Sequence, residues 1–330
     1  MNLQTRIELA TKLGEYISTE SPEWNEVKKR AGLINPWFTS DFVDLACASI
    51  VKEFLQKQII IEWAVKYNTA PSMPKTVGII MAGNIPLVGF HDMLCVFLSG
   101  HWATIKPSSK DDVLIKHLAQ KLGSWEPEIN ELIKFGEMLK GCDAYIATGS
   151  NNSARYFEYY FSKWPHIIRQ NRTSVAVLDG TESTEELERL ADDVHLYFGM
   201  GCRNVTKVFV PKNYDFVRLL DVFRKYNYFK DHNKYKNNYD YNLALHILNN
   251  KFYMTNESII LFENESIFSP VSQLNYEFYT DKDAAIESLR DRAGLQCIVG
   301  HGFIPFGQAQ CPSITDYADG VDTMKFLAEL

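Results

Sequence analysis

The sequence predicts an α/β protein: a helical N-terminal lead-in followed by two doubly wound α/β domains. Three observations carry that expectation. Residues before about 70 show apolar residues at helical spacing and no β-rich run. From Thr76 short β-rich runs alternate with longer helical runs, and after Gly199 the alternation starts again. Alternation of this kind implies mostly parallel sheets covered on both faces.

The elements follow in order. Leu3, Ile7, Ala10, Leu13 and Ile17 share one helical face, and the pattern breaks at Ser21-Pro22. A second helical stretch, from about Asp41 to Lys57, follows the turn Asn35-Pro36-Trp37-Phe38. Both should pack on the sheet that begins at Thr76. There TVGIIMA, ATIK, AYIAT and SVAVLD read as strands. The helices among them run near His91 to Ser99, from Asp111 to Leu122 and from about Asn152 to Trp164, and a fourth is opened by the capping box Ser183-x-x-Glu186. The second half gives VTKVFVP, a helix near Tyr214 to Lys225, SIILFE, NYEFYT, a helix from Lys282 to Arg292, and LQCIVG. The Lys/Asn/Tyr-rich stretch near 226–242 is charged and turn-prone, so it is expected to be a solvated excursion.

Composition sets the outer limits. The 330 residues are 46% hydrophobic and 23% charged, ordinary globular values that exclude disorder and low complexity. At roughly 150 residues per domain, the length suggests about two domains with their own cores. With 34 Lys+Arg against 41 Asp+Glu and no basic run, nucleic acid is not an expected partner. The N-terminus MNLQTRIELATKLGEY mixes charges into a helical pattern, unlike a signal peptide. The apolar stretch from Thr76 meets Asp92 too early to span a bilayer, so a cytoplasmic protein is expected. Six cysteines without CxxC pairing read as free thiols, mostly packing residues, and no metal site is expected.

Four short segments can carry chemistry. Cys202 follows Gly199-Met200-Gly201 and precedes Arg203. Glycines admit a close backbone approach to a substrate, and a nearby cation favours the thiolate. A cysteine beside glycines is also an ordinary structural residue. Gly83-Asn84 leaves a strand just before Pro86; an asparagine amide there can donate to a developing oxyanion, on the order of a few kcal/mol when preorganised, or simply make a turn. Lys106-Pro107-Ser108-Ser109 leaves the next strand, where α/β sheets bind ligands. Thr148-Gly149-Ser150 leads a strand into a helix whose N–H groups suit a pyrophosphate. No GxGxxG is present, so the usual dinucleotide fingerprint is missing.

Taken in order, these four segments resemble the aldehyde dehydrogenase superfamily over approximately residues 75 to 330. Ile267-Phe268-Ser269-Pro270-Val271 and Ile304-Pro305-Phe306-Gly307 look like its late motifs. Within it, the sequence is most similar to the acyl-CoA reductases of the bacterial luminescence fatty-acid reductase (LuxC-type) family. The features that carry this are NPWFT at Asn35 to Thr39, the run from Asp143 to Asn151, Arg169-Gln170-Asn171-Arg172, and the short chain. The resemblance implies an aldehyde-dehydrogenase-like fold with Cys202 as the acylated nucleophile and Asn84 with the Cys202 backbone N–H as oxyanion hole. Lys106, with Ser108 and Ser109 in its loop, would meet the cofactor ribose; Gly149 and Ser150 the pyrophosphate; and Phe268 the nicotinamide ribose. It also implies a lead-in at 1–70, a dinucleotide-binding domain at 71–197, a nucleophile domain at 198–305, and a segment at 306–330 returning to the first domain.

Departures from the superfamily pattern shape the expected reaction. The glutamate that activates hydrolytic water falls at Arg169 or Gln170, and neither is a general base at neutral pH. A thioester on Cys202 would therefore resist water, yet it could be made from an acyl thioester and reduced by hydride. Ser109, with Lys110 following, replaces the glutamate that contacts the cofactor ribose. Its loss lifts repulsion against a 2′-phosphate, so NADPH is the expected cofactor, used at least as well as NADH. Ser266 replaces the glutamate before Ile-Phe, with Glu265 one residue earlier. His301, between two glycines, is the first candidate proton donor and His91 the second; each also reads as a histidine satisfied in a turn or core.

The expected activity is NADPH-dependent reduction of an acyl thioester, fatty acyl-CoA foremost, to an aldehyde. The alternatives are a hydrolytic aldehyde dehydrogenase with its base elsewhere and a non-catalytic acyl-CoA or nucleotide-binding homologue. Expected partners are the acyl-CoA or acyl-protein donor, an acyl-activating or acyl-transferring protein, and further copies of the chain in a homo-oligomer, although no long hairpin arm precedes Thr76.

Overall fold

The computed structural model describes residues 1–67 and 69–330. The chain divides into two compact units, Met1–Asn171 with Pro312–Leu330, and Arg172–Cys311.

The first unit opens with four helices, α1 (Leu3–Ser18), α2 (Pro22–Ile34), α3 (Ser40–Phe54) and α4 (Lys57–Ala64). Asn2 caps α1 by accepting the Thr5 N–H, and Ile7, Ala10, Leu13 and Ile17 form its buried face. Helix α2 goes beyond the sequence expectation. It has Pro22 in its first turn, and the Ser21 hydroxyl accepts the Trp24 N–H. Its buried stripe is only Trp24, Val27 and Ala31, too thin to register as a period.

The lead-in packs on a sheet built by β1 (Thr76–Ile80), α5 (Phe90–Ser99), β2 (Trp102–Lys106), α6 (Val113–Trp125), α7 (Ile129–Leu132), β3 (Ile133–Phe135), β4 (Ala144–Thr148), α8 (Asn151–Phe161) and β5 (His166–Arg169). All five strands are parallel, in the order β3-β2-β1-β4-β5. Trp24, Phe38, Trp63, Phe90 and the β1 and β2 side chains Val77, Ile79 and Ile105 belong to one apolar cluster. Burying each such side chain contributes about 1.5–3 kcal/mol. Residues from Pro312 onward close the unit: Trp63 Nε1 donates to the Tyr317 hydroxyl at 2.7 Å, and Met324 and Leu327 are buried. The short strands β3 and β5 were not apparent in the sequence, because three and four residues are too few to show alternation.

The second unit contains β6 (Thr173–Val177), α9 (Thr184–His195), β7 (Val205–Pro211), α10 (Phe216–Phe223), α11 (Asn233–Leu248), β8 (Met254–Thr255), β9 (Ile260–Glu263), β10 (Gln273–Tyr279), α12 (Lys282–Glu287) and β11 (Leu295–Gly300). Its sheet order is β11-β6-β7-β10-β9-β8, parallel except for the β8/β9 pair. The capping box at Ser183 and Glu186 opens α9.

Three expectations change here. The stretch near 226–242 is not a solvated excursion: a 3₁₀ turn, Arg224–Asp231, runs into the 16-residue α11. Tyr235, Tyr239, Asn242 and His246 recur at helical spacing and are buried, so tyrosines do the packing that aliphatic residues usually do. The unit boundary falls after Asn171, not at residue 197, because β6 pairs with β7 and β11. The return to the first unit begins at Pro312, not at 306. Among the described residues no helix is long and apolar enough to cross a membrane.

Candidate active site

In the first unit the residues singled out by sequence leave the C-terminal ends of strands. They flank β1, whose neighbours are β2 on one side and β4 on the other, the point at which doubly wound sheets receive ligands. Gly83 is a packing requirement: a Cβ there would lie 2.6 Å from both Cβ and Oγ of Ser108, so the β1 exit presses directly on the β2 exit. Asn84 follows with an exposed side chain. Lys106 ends β2, exposed, while its carbonyl accepts the Met81 N–H at 3.1 Å. Ser108 Oγ accepts the Lys110 N–H at 3.2 Å, and Ser109 is exposed.

On the other side of β1, Ser150 caps α8 by accepting the Ser153 N–H at 3.2 Å. A Cβ at Gly149 would come within 2.9 Å of Ser153 and the Phe157 ring, so α8 starts close to its strand. Close-approach glycine, an exposed lysine and a capped 11-residue helix fit the ribose and phosphates of a dinucleotide.

Arg169 and His91 turn inward. Arg169 is 3% exposed and donates to the Asp92 carboxylate at 2.5 Å and to Thr323 Oγ1 at 2.8 Å. A guanidinium held this way has no basic lone pair to offer a water. His91 packs among Phe54, Trp63 and Tyr317 with Nε2 2.9 Å from the Ile314 carbonyl, and burial lowers its pKa. It is a half-buried histidine whose ring is already engaged by its neighbours, which argues against the second proton-donor candidate.

In the second unit Cys202 is partly exposed, whereas Cys47, Cys95 and Cys142 are buried. The turn ahead of it is unusual: Tyr197 (φ +55), Phe198 (φ +57) and Gly199 (φ +74) are consecutive and left-handed. Each non-glycine residue there costs about 1–3 kcal/mol and persists only when its surroundings over-determine it. The determinant is Asn204, a residue without a role in the sequence reading. It is fully buried; its Oδ1 accepts the Gly201 N–H at 2.8 Å, and its Nδ2 donates to the carbonyls of Leu196 at 2.9 Å and Asp193 at 3.0 Å. From the far side Ser174 Oγ donates to the Cys202 carbonyl at 3.1 Å and lies 3.0 Å from Cys297 Sγ. Arg203, the expected neighbouring cation, reaches the Ala309 carbonyl at 3.4 Å.

Phe268 stands at the same end of this sheet. The carbonyl before it, of Ile267, accepts from Thr206 at the start of β7 at 2.5 Å, and the ring is 41% exposed. Lys207, buried within β7, donates to the Glu265 carbonyl at 2.8 Å and pairs with Glu277, fixing the loop that carries Phe268; burial lowers its pKa. A lysine inside the otherwise apolar VTKVFVP was the available signal.

His301 lies at the other end. It follows β11 just as Asp179 follows β6, with Nδ1 3.1 Å from Asp179 and Nε2 3.0 Å from Glu186. Those two hydrogen bonds raise its pKa. Ser174, bonded to Cys202, and Asp179, two residues past the end of β6, are five residues apart, about 16 Å for extended chain at ~3.3 Å per residue. His301 therefore cannot donate a proton to a group on Cys202. Asp179, Glu182 and His301 bring ligand-type atoms within 4.8 Å of one another, but Glu182 is engaged by the N–H groups of Asp179 and Gly180, and Asp179 by Lys282 at 2.8 Å. The group is an ion-pair clamp across the strand ends.

The chain matches known proteins in family and in fold. The family model described as acyl-CoA reductase (LuxC) matches residues 47–219, more than half of the 330 residues. Aldehyde dehydrogenase 21 from Physcomitrella patens superposes with a TM-score of 0.65 at 11% identity, over 91% of this chain and 74% of that one. The NAD-dependent aldehyde dehydrogenase from Sinorhizobium meliloti gives 0.65 at 10% identity, over 91% and 70%. The Mycobacterium tuberculosis aldehyde dehydrogenase complexed with NAD+ gives 0.63 at 13% identity, over 87% and 70%. At such identities the likeness is one of fold. None of the curated proteins compared with the chain matches it.

Proposed function

The chain belongs to the acyl-CoA reductase (LuxC) family, an oxidoreductase acting on acyl and aldehyde groups, and from that premise we propose that it reduces fatty acyl-CoA to the aldehyde with NADPH through an acyl-enzyme on Cys202. The observation that carries this reading is the strained turn ahead of Cys202, held by the buried Asn204. Such strain at a partly exposed thiol is the mark of a functional turn.

In the proposed reaction the Cys202 thiolate attacks the thioester carbonyl, forming a C–S bond and an oxyanion. The Asn84 amide and the Cys202 N–H donate to that oxygen. The oxyanion collapses, the C–S bond to coenzyme A breaks, and the leaving thiolate takes a proton. Lys106, Ser108 and Ser109 would hold the cofactor's ribose, Gly149 and Ser150 its pyrophosphate, and Phe268 would lie by the nicotinamide ribose. When bound, NADPH supplies the hydride that reduces the acyl carbon. The Cys202 thiolate then departs from that carbon as the aldehyde forms.

Arg169 supports reduction over hydrolysis, because its guanidinium is committed to Asp92 and Thr323. An acylated protein is the second donor in this reading, and an acyl-activating protein the source of either.

The test is turnover and labelling together. With acyl-CoA and NADPH, the wild-type enzyme should oxidise NADPH and carry a labile acyl group, and Cys202→Ala should lose both. Turnover retained in Cys202→Ala overturns the reading.

A further inference from the structure

Asp111 is a carboxylate, 6% exposed, lying between the two loops that carry Asn84 and Lys106. On the Lys106 side it closes the turn that follows β2: the Asp111 N–H donates to the Ser108 carbonyl at 3.0 Å. Asn35 Nδ2 donates to the Lys110 carbonyl at 3.2 Å and ties that turn to the lead-in. On the Asn84 side, Asp111 Oδ2 accepts the Leu87 N–H at 2.7 Å.

Leu87 has φ +58, a conformation leucine avoids, and it stands three residues after Asn84. The bond to Asp111 therefore holds the Asn84 loop in a shape the chain would not choose alone. The carboxyl also meets the Val88 backbone N–H, and burial pushes it up to about 7. The contact of Gly83 with Ser108 joins the same two loops at a second point.

We propose that Asp111 is a positioning residue which locks the Asn84 loop onto the Lys106–Lys110 turn, so that the Asn84 amide is fixed for the oxyanion before the substrate arrives. The proposal rests on the role given to Asn84 above. A preorganised donor needs no reorganisation during the reaction, and its advantage disappears when the loop that bears it is released.

The experiment is a double-mutant cycle on the rate of Cys202 acylation by acyl-CoA, measured in a single turnover without NADPH. Asn84→Ala should slow acylation by about 10²–10³-fold. Asp111→Leu should slow it by at least about tenfold, and the double variant should be no slower than Asn84→Ala, because positioning an absent donor changes nothing. Asp111→Asn, which keeps an acceptor for Leu87, should stay within about threefold of wild type. Should Asp111→Leu not fold, Asp111→Ser, whose hydroxyl ends short of the Leu87 N–H, takes its place. An Asp111 effect of equal size with and without Asn84 overturns the proposal while leaving the Asn84 reading intact. Wild-type acylation in Asn84→Ala removes the premise and the proposal together.

Discussion

The two units build sheets that are parallel but for the β8/β9 pair, and they place their candidate residues at opposite strand ends. In the first, Asn84, Lys106, Ser108, Ser109, Gly149 and Ser150 leave the C-terminal ends, where close-packed glycine exits adjoin the start of α8. In the second, the C-terminal ends are tied together by His301, Asp179, Glu186 and Lys282, while Cys202 and Phe268 stand at the N-terminal ends. The C-terminal edge of a doubly wound sheet is where a ligand normally binds, but ion pairs occupy the strand exits of the second unit. Where charges bridge them, chemistry needs a place made by other means, and in the proposed reaction that place is a left-handed turn pinned by one asparagine.

That contrast breaks first at Asn204. Asn204→Leu leaves the carbonyls of Leu196 and Asp193 without their donor and the Gly201 N–H without its acceptor. Buried groups left unpaired cost about 1–3 kcal/mol each, so the variant should melt several degrees lower. Released from its anchor, Cys202 should lose about 10–100-fold in acylation rate, as a displacement near 1 Å can cause. Wild-type acylation in a folded Asn204→Leu would show that the turn does not position the thiol.

The clamp at the other end predicts a smaller effect of a different kind. His301→Gln should leave turnover within about twofold, because the histidine sits about 16 Å along the strand from the Cys202 anchor. Its signature is in stability against pH. His301 has a raised pKa in the folded chain, so its contribution is fully present below the unfolded value of about 6.5 and is lost as pH rises through the folded value. Asp179 and Glu186 are shifted down, so theirs fades only as pH falls below the usual carboxylate range of about 4. The difference in melting temperature between wild type and His301→Gln should therefore be largest below the unfolded histidine value of about 6.5 and close as the pH rises through the folded value. A large loss of turnover with an unchanged melting curve would restore His301 as a proton donor.

How much of this was legible in the sequence depended on the kind of signal. Parallel strands are apolar runs, so β1, β2, β4, β6 and β7 could be read directly, as could the Ser183 capping box. Helix α11 was hidden because its buried face is made of Tyr235, Tyr239, Asn242 and His246, residues that look solvated in a composition count. Cys202, Asn84 and Lys106 were singled out by the order of their motifs, which survives without any knowledge of contacts. Asn204, Lys207 and Asp111 were not, because a polar residue in a chain looks the same whether it caps a turn in water or holds a loop in the interior. The bond from Leu87 to Asp111 spans 24 positions, which no local period records. The glycines around His301 announced a turn but carried no information about which end of the sheet it occupies.

The most direct test of the central claim is peptide mapping of the enzyme trapped with acyl-CoA in the absence of NADPH. The account predicts an acyl group on Cys202, discharged as aldehyde when NADPH is added. An adduct on Cys297, Cys311 or any other residue that is discharged at the same rate, with Cys202 unmodified, would contradict it.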